Sequence, residues 1–216
     1  MIGILAYGSL ITHPGHEIES VLDHVIPDVL TPFPVEYTRR SRSRAGAPTL
    51  APVPTGCGVP VKAVVFALKK YTRKKKAQNF LYRRELHQER DLKVIYDDQA
   101  QRQKRDALVI ETMKNQFGLS VIYYTALKPN FTEILDAKRT LEEKAELLAQ
   151  AAIDSLTQET CAKGMDGIQY LADNIEAGVV TALAEFYAQA ILEKAGNAPN
   201  LDQARWFIAQ ERGFIA

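Results

Sequence analysis

The residues best suited to chemistry are a turn near the N-terminus and an acidic side chain further along the chain. The apolar run at residues 2–6 leads directly into Tyr7, Gly8, Ser9 and Leu10. A strand that ends at such a turn presents backbone N–H groups with no ladder partner, and glycine allows a tight bend. These N–H groups can hold a carboxylate or an oxyanion. Because many strands end at an ordinary Gly-Ser turn, the turn alone does not establish a site.

The acidic side chain is Glu85, four residues after Leu81 in a helix predicted over residues 74–90. Residues four apart share a helix face, so Glu85 is predicted to face the core with Leu81. A carboxylate buried without a full partner has a raised pKa, which a general acid or base working near pH 7 requires. The alternative is an ordinary ion pair with a nearby arginine: Arg83, Arg84 or Arg90.

Composition excludes several classes of function. The chain has 216 residues, with 27 basic and 26 acidic side chains and a formal charge of +1. Such a balance gives no net field that attracts nucleic acid or acidic membranes. No run of about 18 apolar residues is present, and the N-terminus lacks a signal-peptide pattern. We therefore expect a cytoplasmic protein that binds neither membrane nor nucleic acid.

The sequence predicts no metal and no cofactor. Cys57 and Cys161 lie far apart, which supports neither a disulfide framework nor a zinc cluster. His13 and His16 flank a Pro-Gly turn, and no further ligand completes a metal shell at suitable spacing. Any catalysis must then come from the chain's own side chains and backbone.

The order of predicted elements indicates an α+β fold. β-like runs recur at residues 2–6, 35–39, 50–53, 61–68, 92–96, 107–111 and 119–127. One convincing helix, the Glu85 helix, interrupts them, so we predict a small, mixed, β-barrel-like sheet with one embedded helix.

A C-terminal helical cluster is predicted to follow. Thr140 and Glu143 form a capping box before a helical apolar pattern, and further helices are expected over residues 167–176, 179–194 and 201–212. This organisation predicts a domain at residues 1–130 and a helical extension at 131–216 packed on it. The extension could cover an active-site mouth, cover a sheet face or form a homodimer.

Two basic stretches, at residues 39–44 and 69–76, invite an RNA-binding interpretation, but the neutral chain favours solvated faces. Alternate residues of an extended chain share a side, so Arg40, Arg42 or Arg44 could reach a substrate carboxylate. On a strand, Tyr123 and Tyr124 must point to opposite faces. One of these tyrosines can therefore face the interior of the sheet.

Four segments in this order resemble the γ-glutamylcyclotransferase superfamily, over roughly residues 1–127. They are Tyr7-Gly8-Ser9-Leu10, Gly46-Ala47-Pro48-Thr49-Leu50, the strand at residues 58–66, and Tyr82-Arg83-Arg84-Glu85. The resemblance implies a small mixed barrel and no metal or cofactor. It also implies an enzyme that cyclises a γ-glutamyl peptide or amine to 5-oxoproline and releases the amine.

The resemblance also implies roles for individual residues. Tyr7, Gly8, Ser9 and Leu10 would bind the γ-glutamyl moiety through backbone N–H groups, and Glu85 would be the catalytic acid and base. Tyr124 would be the pocket tyrosine, with Tyr123 as the alternative. Several family branches follow the glutamate closely with Gly and an aromatic residue, whereas Leu86-His87-Gln88 follows here, and the helical tail is larger. The other hypotheses are a non-catalytic binding module of the same fold and an RNA-associated protein.

Overall fold

The computed structural model describes residues 1–104 and 107–215. Contacts divide the chain into two compact units. Unit 1 comprises Met1–Pro32 and Val61–Lys128, and unit 2 comprises Phe33–Pro60 together with the chain from Pro129 onward. Residues 33–60, predicted to belong with the N-terminal domain, thus make their contacts with the C-terminal helices. The division into folding domains stays a prediction.

The strands are, in chain order, β1 (Ile2–Ala6), β2 (Leu22–Leu30), β3 (Val35–Ser41), β4 (Ala47–Pro52), β5 (Lys62–Leu68), β6 (Leu108–Gln116) and β7 (Leu119–Leu127). The α-helices are α1 (Ser9–Thr12), α2 (His16–Ser20), α3 (Lys74–Glu85), α4 (Asp98–Arg102), α5 (Leu141–Asp154), α6 (Gln158–Lys163), α7 (Gly167–Glu176), α8 (Ala184–Lys194) and α9 (Leu201–Glu211). Short 3₁₀ turns occur at Arg42–Arg44 and Thr132–Leu135.

Unit 1 is built on a five-stranded mixed sheet in the order β2-β5-β1-β7-β6. Strand β1 pairs antiparallel with β5 and parallel with β7. The α+β prediction is confirmed. The barrel-like description was too loose, because in the described part of the chain β2 and β6 are edges that do not pair with each other, as closure requires.

Most predicted strands of unit 1 form, and two differences have local causes. Residues 92–96 are not a strand, because Asp91 and Val94 donate backbone hydrogen bonds within successive tight turns. The sequence analysis missed β2, an edge strand that carries Asp23, His24 and Asp28 and is mostly exposed. Charged residues at an exposed edge weaken the alternation on which strand prediction depends.

One face of this sheet packs against α3. Ala77, Phe80 and Leu81 of the helix join a buried cluster that includes Ile4, Phe66 and Tyr123 of the strands. The last turn of α3 also carries a buried ion pair, in which Arg83 donates to both carboxylate oxygens of Glu17 on α2 at 2.7 Å. These contacts fix the C-terminal end of α3, where Glu85 lies.

Unit 2 contains the β3–β4 pair and the C-terminal helices. The predicted capping box is confirmed, since the Thr140 hydroxyl accepts from Glu143 N and the Glu143 carboxylate accepts from Thr140 N. Helix α7 approaches α5 closely at Gly167, where a Cβ would lie 2.8 Å from the Ala152 Cα. This close approach explains why glycine opens α7.

The predicted helices of unit 2 form with small changes of bounds. Helix α7 has the predicted ends, and α9 ends at Glu211, one residue early. Helix α8 starts at Ala184, not at residue 179, because buried Val179 and Thr181 lie in an irregular segment that precedes it. No helix in the described ranges has the length and apolar character needed to cross a membrane. The cytoplasmic location and the homodimer stay predictions.

Candidate functional site

The turn after β1 has the predicted geometry. Gly8 adopts φ 61° and ψ −144°, a conformation that strains residues with a Cβ, and α1 begins at Ser9. The first N–H groups of a helix have no intrahelical acceptor, so the Ser9 and Leu10 amides can serve a ligand. The Tyr7 side chain is buried, and its hydroxyl donates to the Thr125 carbonyl of β7 at 2.9 Å. This bond ties the turn to the neighbouring strand.

Glu85 is the last residue of α3, because the helix ends there in a Schellman-type cap. Gln88 N donates to the Arg83 carbonyl and His87 N to the Arg84 carbonyl, while His87 adopts φ 55°. The Glu85 side chain is 14% exposed. It is therefore shielded as predicted, although it lies at the end of the helix and not within the apolar face.

Arg84 connects Glu85 to the turn. One guanidinium nitrogen, Nη1, donates to Glu85 Oε1 at 3.0 Å, and the other, Nη2, donates to the Ser9 carbonyl at 2.8 Å and to Ser9 Oγ at 3.3 Å. Its Nε donates to the His13 carbonyl at 2.9 Å. The side chain of Arg84 is 9% exposed, so these bonds are largely shielded from water. The structure thus brings Glu85 and the turn to opposite ends of a single guanidinium group.

This geometry bears on both interpretations of Glu85. The carboxylate is close to the turn, as a catalytic site requires, but it is also paired with Arg84, one of the three arginines considered from the sequence. The pair uses only one carboxylate oxygen, Oε1. A carboxylate has about four acceptor positions, so Oε2 retains the capacity to accept hydrogen bonds.

Tyr124 does not lie on the α3 face of the sheet. Tyr123 belongs to the buried cluster with α3 residues, and consecutive strand residues point to opposite faces. Tyr124 therefore points away from α3, on the face of its cross-strand partner Glu111, and burial raises the pKa of its hydroxyl. The assignment of Tyr124 as the pocket tyrosine stays a prediction.

The two basic stretches take different forms. In unit 2, β3 ends at Ser41, so Arg40 lies on the strand while Arg42 and Arg44 lie in the 3₁₀ turn. The Arg40 guanidinium lies 3.7 Å from the centre of the Phe131 ring, and that of Arg44 lies 4.8 Å from the centre of the Tyr170 ring. In unit 1, residues 69–76 form a turn and the first residues of α3.

Glu36 of β3 is another buried carboxylate, to which the sequence did not point. It is 1% exposed, and its two oxygens accept from Tyr37 N at 2.9 Å and Leu183 N at 3.2 Å. Burial raises the pKa of Glu36, and these backbone hydrogen bonds only partly offset the rise. The available signal was a lone acidic residue between Val35 and Tyr37 in a β-like run, where charged residues are rarely buried without partners.

We expect Glu36 to make unit 2 less stable as the pH rises. Because the pKa of Glu36 is raised in the folded state, protonated Glu36 favours folding. This contribution to the free energy of unfolding is fully present below the unfolded pKa of about 4.5 and is lost as the pH rises through the folded pKa. The slope is at most about 1.4 kcal/mol per pH unit for one proton. The free energy of unfolding is measured with denaturant from about pH 4.5 upward. It should fall with rising pH more steeply in the parent than in Glu36→Gln. The exposed Glu185→Gln control should titrate like the parent.

Protein-family models, curated proteins and solved structures were each compared with the chain, and none of them matched.

Proposed function

We propose that the chain is a γ-glutamylcyclotransferase-like enzyme that converts a γ-glutamyl peptide or amine to 5-oxoproline and releases the amine. One observation carries the proposal: a single Arg84 guanidinium joins the shielded Glu85 carboxylate to the Ser9 turn. An acid–base group and a set of amide donors thereby lie within the length of a small ligand. The reaction requires both groups and no external reactant.

The reaction begins with the substrate's own α-amino group. That group has a pKa of about 8, so near pH 7 it must lose a proton before it attacks. As the resulting neutral nitrogen attacks the γ-carbonyl carbon and closes a five-membered ring, Glu85 takes a second proton from it. The bond to the leaving nitrogen then breaks, and Glu85 returns the proton to the departing amine. Such acid–base catalysis contributes about 10² to 10⁴ in rate.

The turn at Ser9 and Leu10 stabilises the negative charge of the reaction. As the ring closes, the γ-carbonyl oxygen becomes an oxyanion, and the two amides at the start of α1 are suitable donors for it or for the substrate α-carboxylate. One oxyanion donor contributes roughly 3 to 4 kcal/mol to transition-state stabilisation. Holding the substrate curled for ring closure lowers the barrier further.

In this proposal Arg84 is a positioning residue. By holding Glu85 Oε1 and the Ser9 carbonyl together, it fixes the distance between the acid–base group and the oxyanion donors. It leaves Oε2 to exchange the proton. A bidentate pair with Glu85 would have occupied both oxygens.

The same ion pair favours a second candidate function, a non-catalytic module that binds a small molecule or a protein. A carboxylate held by an arginine has one oxygen already engaged, and its partner occupies part of the space beside the turn. In such a module, the turn amides would bind a ligand carboxylate and Glu85 would only orient Arg84.

The experiment is incubation of the purified chain with a panel of γ-glutamyl dipeptides and γ-glutamyl amines. The expected result is 5-oxoproline and free amine in equal amounts, measured by mass spectrometry. Two matched substrates serve as controls: an N-acetylated γ-glutamyl peptide, which lacks the nucleophile, and the α-glutamyl isomer. Neither should react.

The other outcomes separate the candidates. Saturable calorimetric binding of a γ-glutamyl ligand without any product would support the module. Absence of both product and binding across the panel would overturn the enzyme and a module that binds a γ-glutamyl ligand.

A further inference from the structure

Unit 2 contains a compact group of aromatic and basic side chains that the proposed reaction does not use. Tyr37 of β3 packs edge-on against Tyr187 of α8, with ring centres 5.2 Å apart, and against Tyr170 of α7 at 6.3 Å. The Arg44 guanidinium lies over the Tyr170 ring at 4.8 Å. We call these four residues the Tyr-Arg cluster. It joins one strand, two helices and the β3–β4 connection.

Two hydroxyl groups of the Tyr-Arg cluster are buried and, among the described residues, have no acceptor. Tyr37 and Tyr187 are both 0% exposed, and within the described residues neither hydroxyl has a hydrogen-bond partner. A buried polar group left unpaired destabilises a fold, so native proteins almost always provide it with a partner. Burial raises the pKa of both hydroxyls well above the ordinary value; Tyr170 adds most to the rise at Tyr37, and the Asp166 carboxylate adds most at Tyr187. Both groups therefore remain protonated donors at physiological pH.

Arg44 adds a positive charge. Its Nη1 is buried, and in the described part of the chain that nitrogen has no hydrogen-bond partner. A buried guanidinium normally pairs with a carboxylate or a phosphate. The rest of the Arg44 residue is partly exposed, so the cluster has a connection to solvent.

The buried carboxylates nearby already have other partners. Glu36 accepts from Tyr37 N and Leu183 N, and Asp166 accepts from two amides at the start of α7 and from Arg205 Nε. Neither is paired with Arg44. Among the described residues, the cluster thus presents two hydroxyl donors and one guanidinium nitrogen that have no hydrogen-bond partner.

We propose that Arg44, Tyr37 and Tyr187 form an anion-binding site in unit 2 that takes the carboxylate or phosphate group of a small molecule. The guanidinium neutralises the charge and binds two oxygens in its planar fork. The tyrosine hydroxyls donate to the same oxygens and select a ligand rich in acceptors. This site does not depend on Glu85 or on the cyclisation reaction.

The test measures thermal unfolding of the full chain with inorganic phosphate and, separately, with acetate, each against sodium chloride at equal ionic strength. At least one anion should raise the Tm with saturation, and the arm that does so identifies the preferred group. Arg44→Gln should abolish the shift. The exposed Arg139→Gln in the same unit is the matched control and should respond like the parent.

Tyrosine variants should affect stability and anion binding in opposite directions. Tyr37→Phe and Tyr187→Phe each remove an unpaired buried donor, so without anion the Tm should rise or stay unchanged. With anion, the half-saturating concentration should increase at least tenfold. Hydroxyls satisfied by buried water only would give the reverse, a lower Tm without anion and no anion-dependent change, and this result overturns the proposal.

Two further results would overturn the site. One is the absence of any saturable shift beyond that of chloride with either anion. The other is an equal response from Arg44→Gln and Arg139→Gln. If Arg44→Gln does not fold, Arg44→Lys, which keeps the charge but loses the fork, takes its place. A parent-like response from both Arg44→Lys and Tyr37→Phe then rejects the proposal.

Discussion

Glu85→Gln is expected to lower the rate of 5-oxoproline formation by about 10² to 10⁴-fold. Glutamine has nearly the same shape, and its amide oxygen can still accept from Arg84 Nη1, so the link to the Ser9 turn should persist. The amide cannot take a proton from the substrate's amino group, and this is the function that the substitution removes. The measurement is kcat and KM with a γ-glutamyl substrate that the parent converts. We expect kcat to fall and KM to change little.

The matched control for this variant is Glu19→Gln, an exposed glutamate on α2 in the same unit. Its activity should equal that of the parent. Arg84→Met tests positioning, because it leaves Glu85 in place but removes the link to Ser9, and a circular dichroism spectrum verifies folding. A Glu85→Gln variant as active as the parent would eliminate Glu85 as the base, whatever the result for Arg84.

Asp166→Ala is expected to destabilise unit 2 by about 3 to 5 kcal/mol. This side chain is 0% exposed and has two functions. Its Oδ1 caps α7 by accepting from Ile168 N and Gln169 N, and its Oδ2 accepts from Arg205 Nε at 2.8 Å. Loss of the cap costs about 1 kcal/mol, and the larger part arises because Arg205 is left without its anion. Urea unfolding of parent and variant measures the difference.

A double-mutant cycle separates these two contributions. Arg205→Met in the Asp166→Ala background removes the unpaired charge, so the double variant should recover part of the lost stability. The exposed Asp202→Ala on α9 is the control and should change stability by less than about 1 kcal/mol. A loss below about 1 kcal/mol for Asp166→Ala itself would show that the pair and the cap do not support the fold as described.

Local patterns predicted most individual elements. Strands β1 and β7 and helix α7 have the predicted ends, because alternation, helical spacing and capping act over a few residues that are adjacent in sequence. The same local rules failed for β2, where an exposed edge removes the alternation, and for residues 92–96, where tight turns replace pairing.

The candidate site was predicted less completely. The sequence pointed to Tyr7, Gly8, Ser9, Leu10 and Glu85, and in the structure Glu85 and the turn do lie together. It did not show which of three arginines would pair with Glu85, since all three are near in sequence. Arg84 is the one whose direction at the end of α3 reaches Ser9 as well.

Local sequence patterns were enough to predict the α+β class, the position of the glycine turn and the helix that carries Glu85. These follow from backbone conformation and periodicity, which depend on near neighbours. Long-range packing accounts for the open sheet, for the burial of Glu36 and for the position of Arg44 over the Tyr170 ring. Such features depend on which distant segments exclude water from one another, and burial of this kind leaves no local pattern.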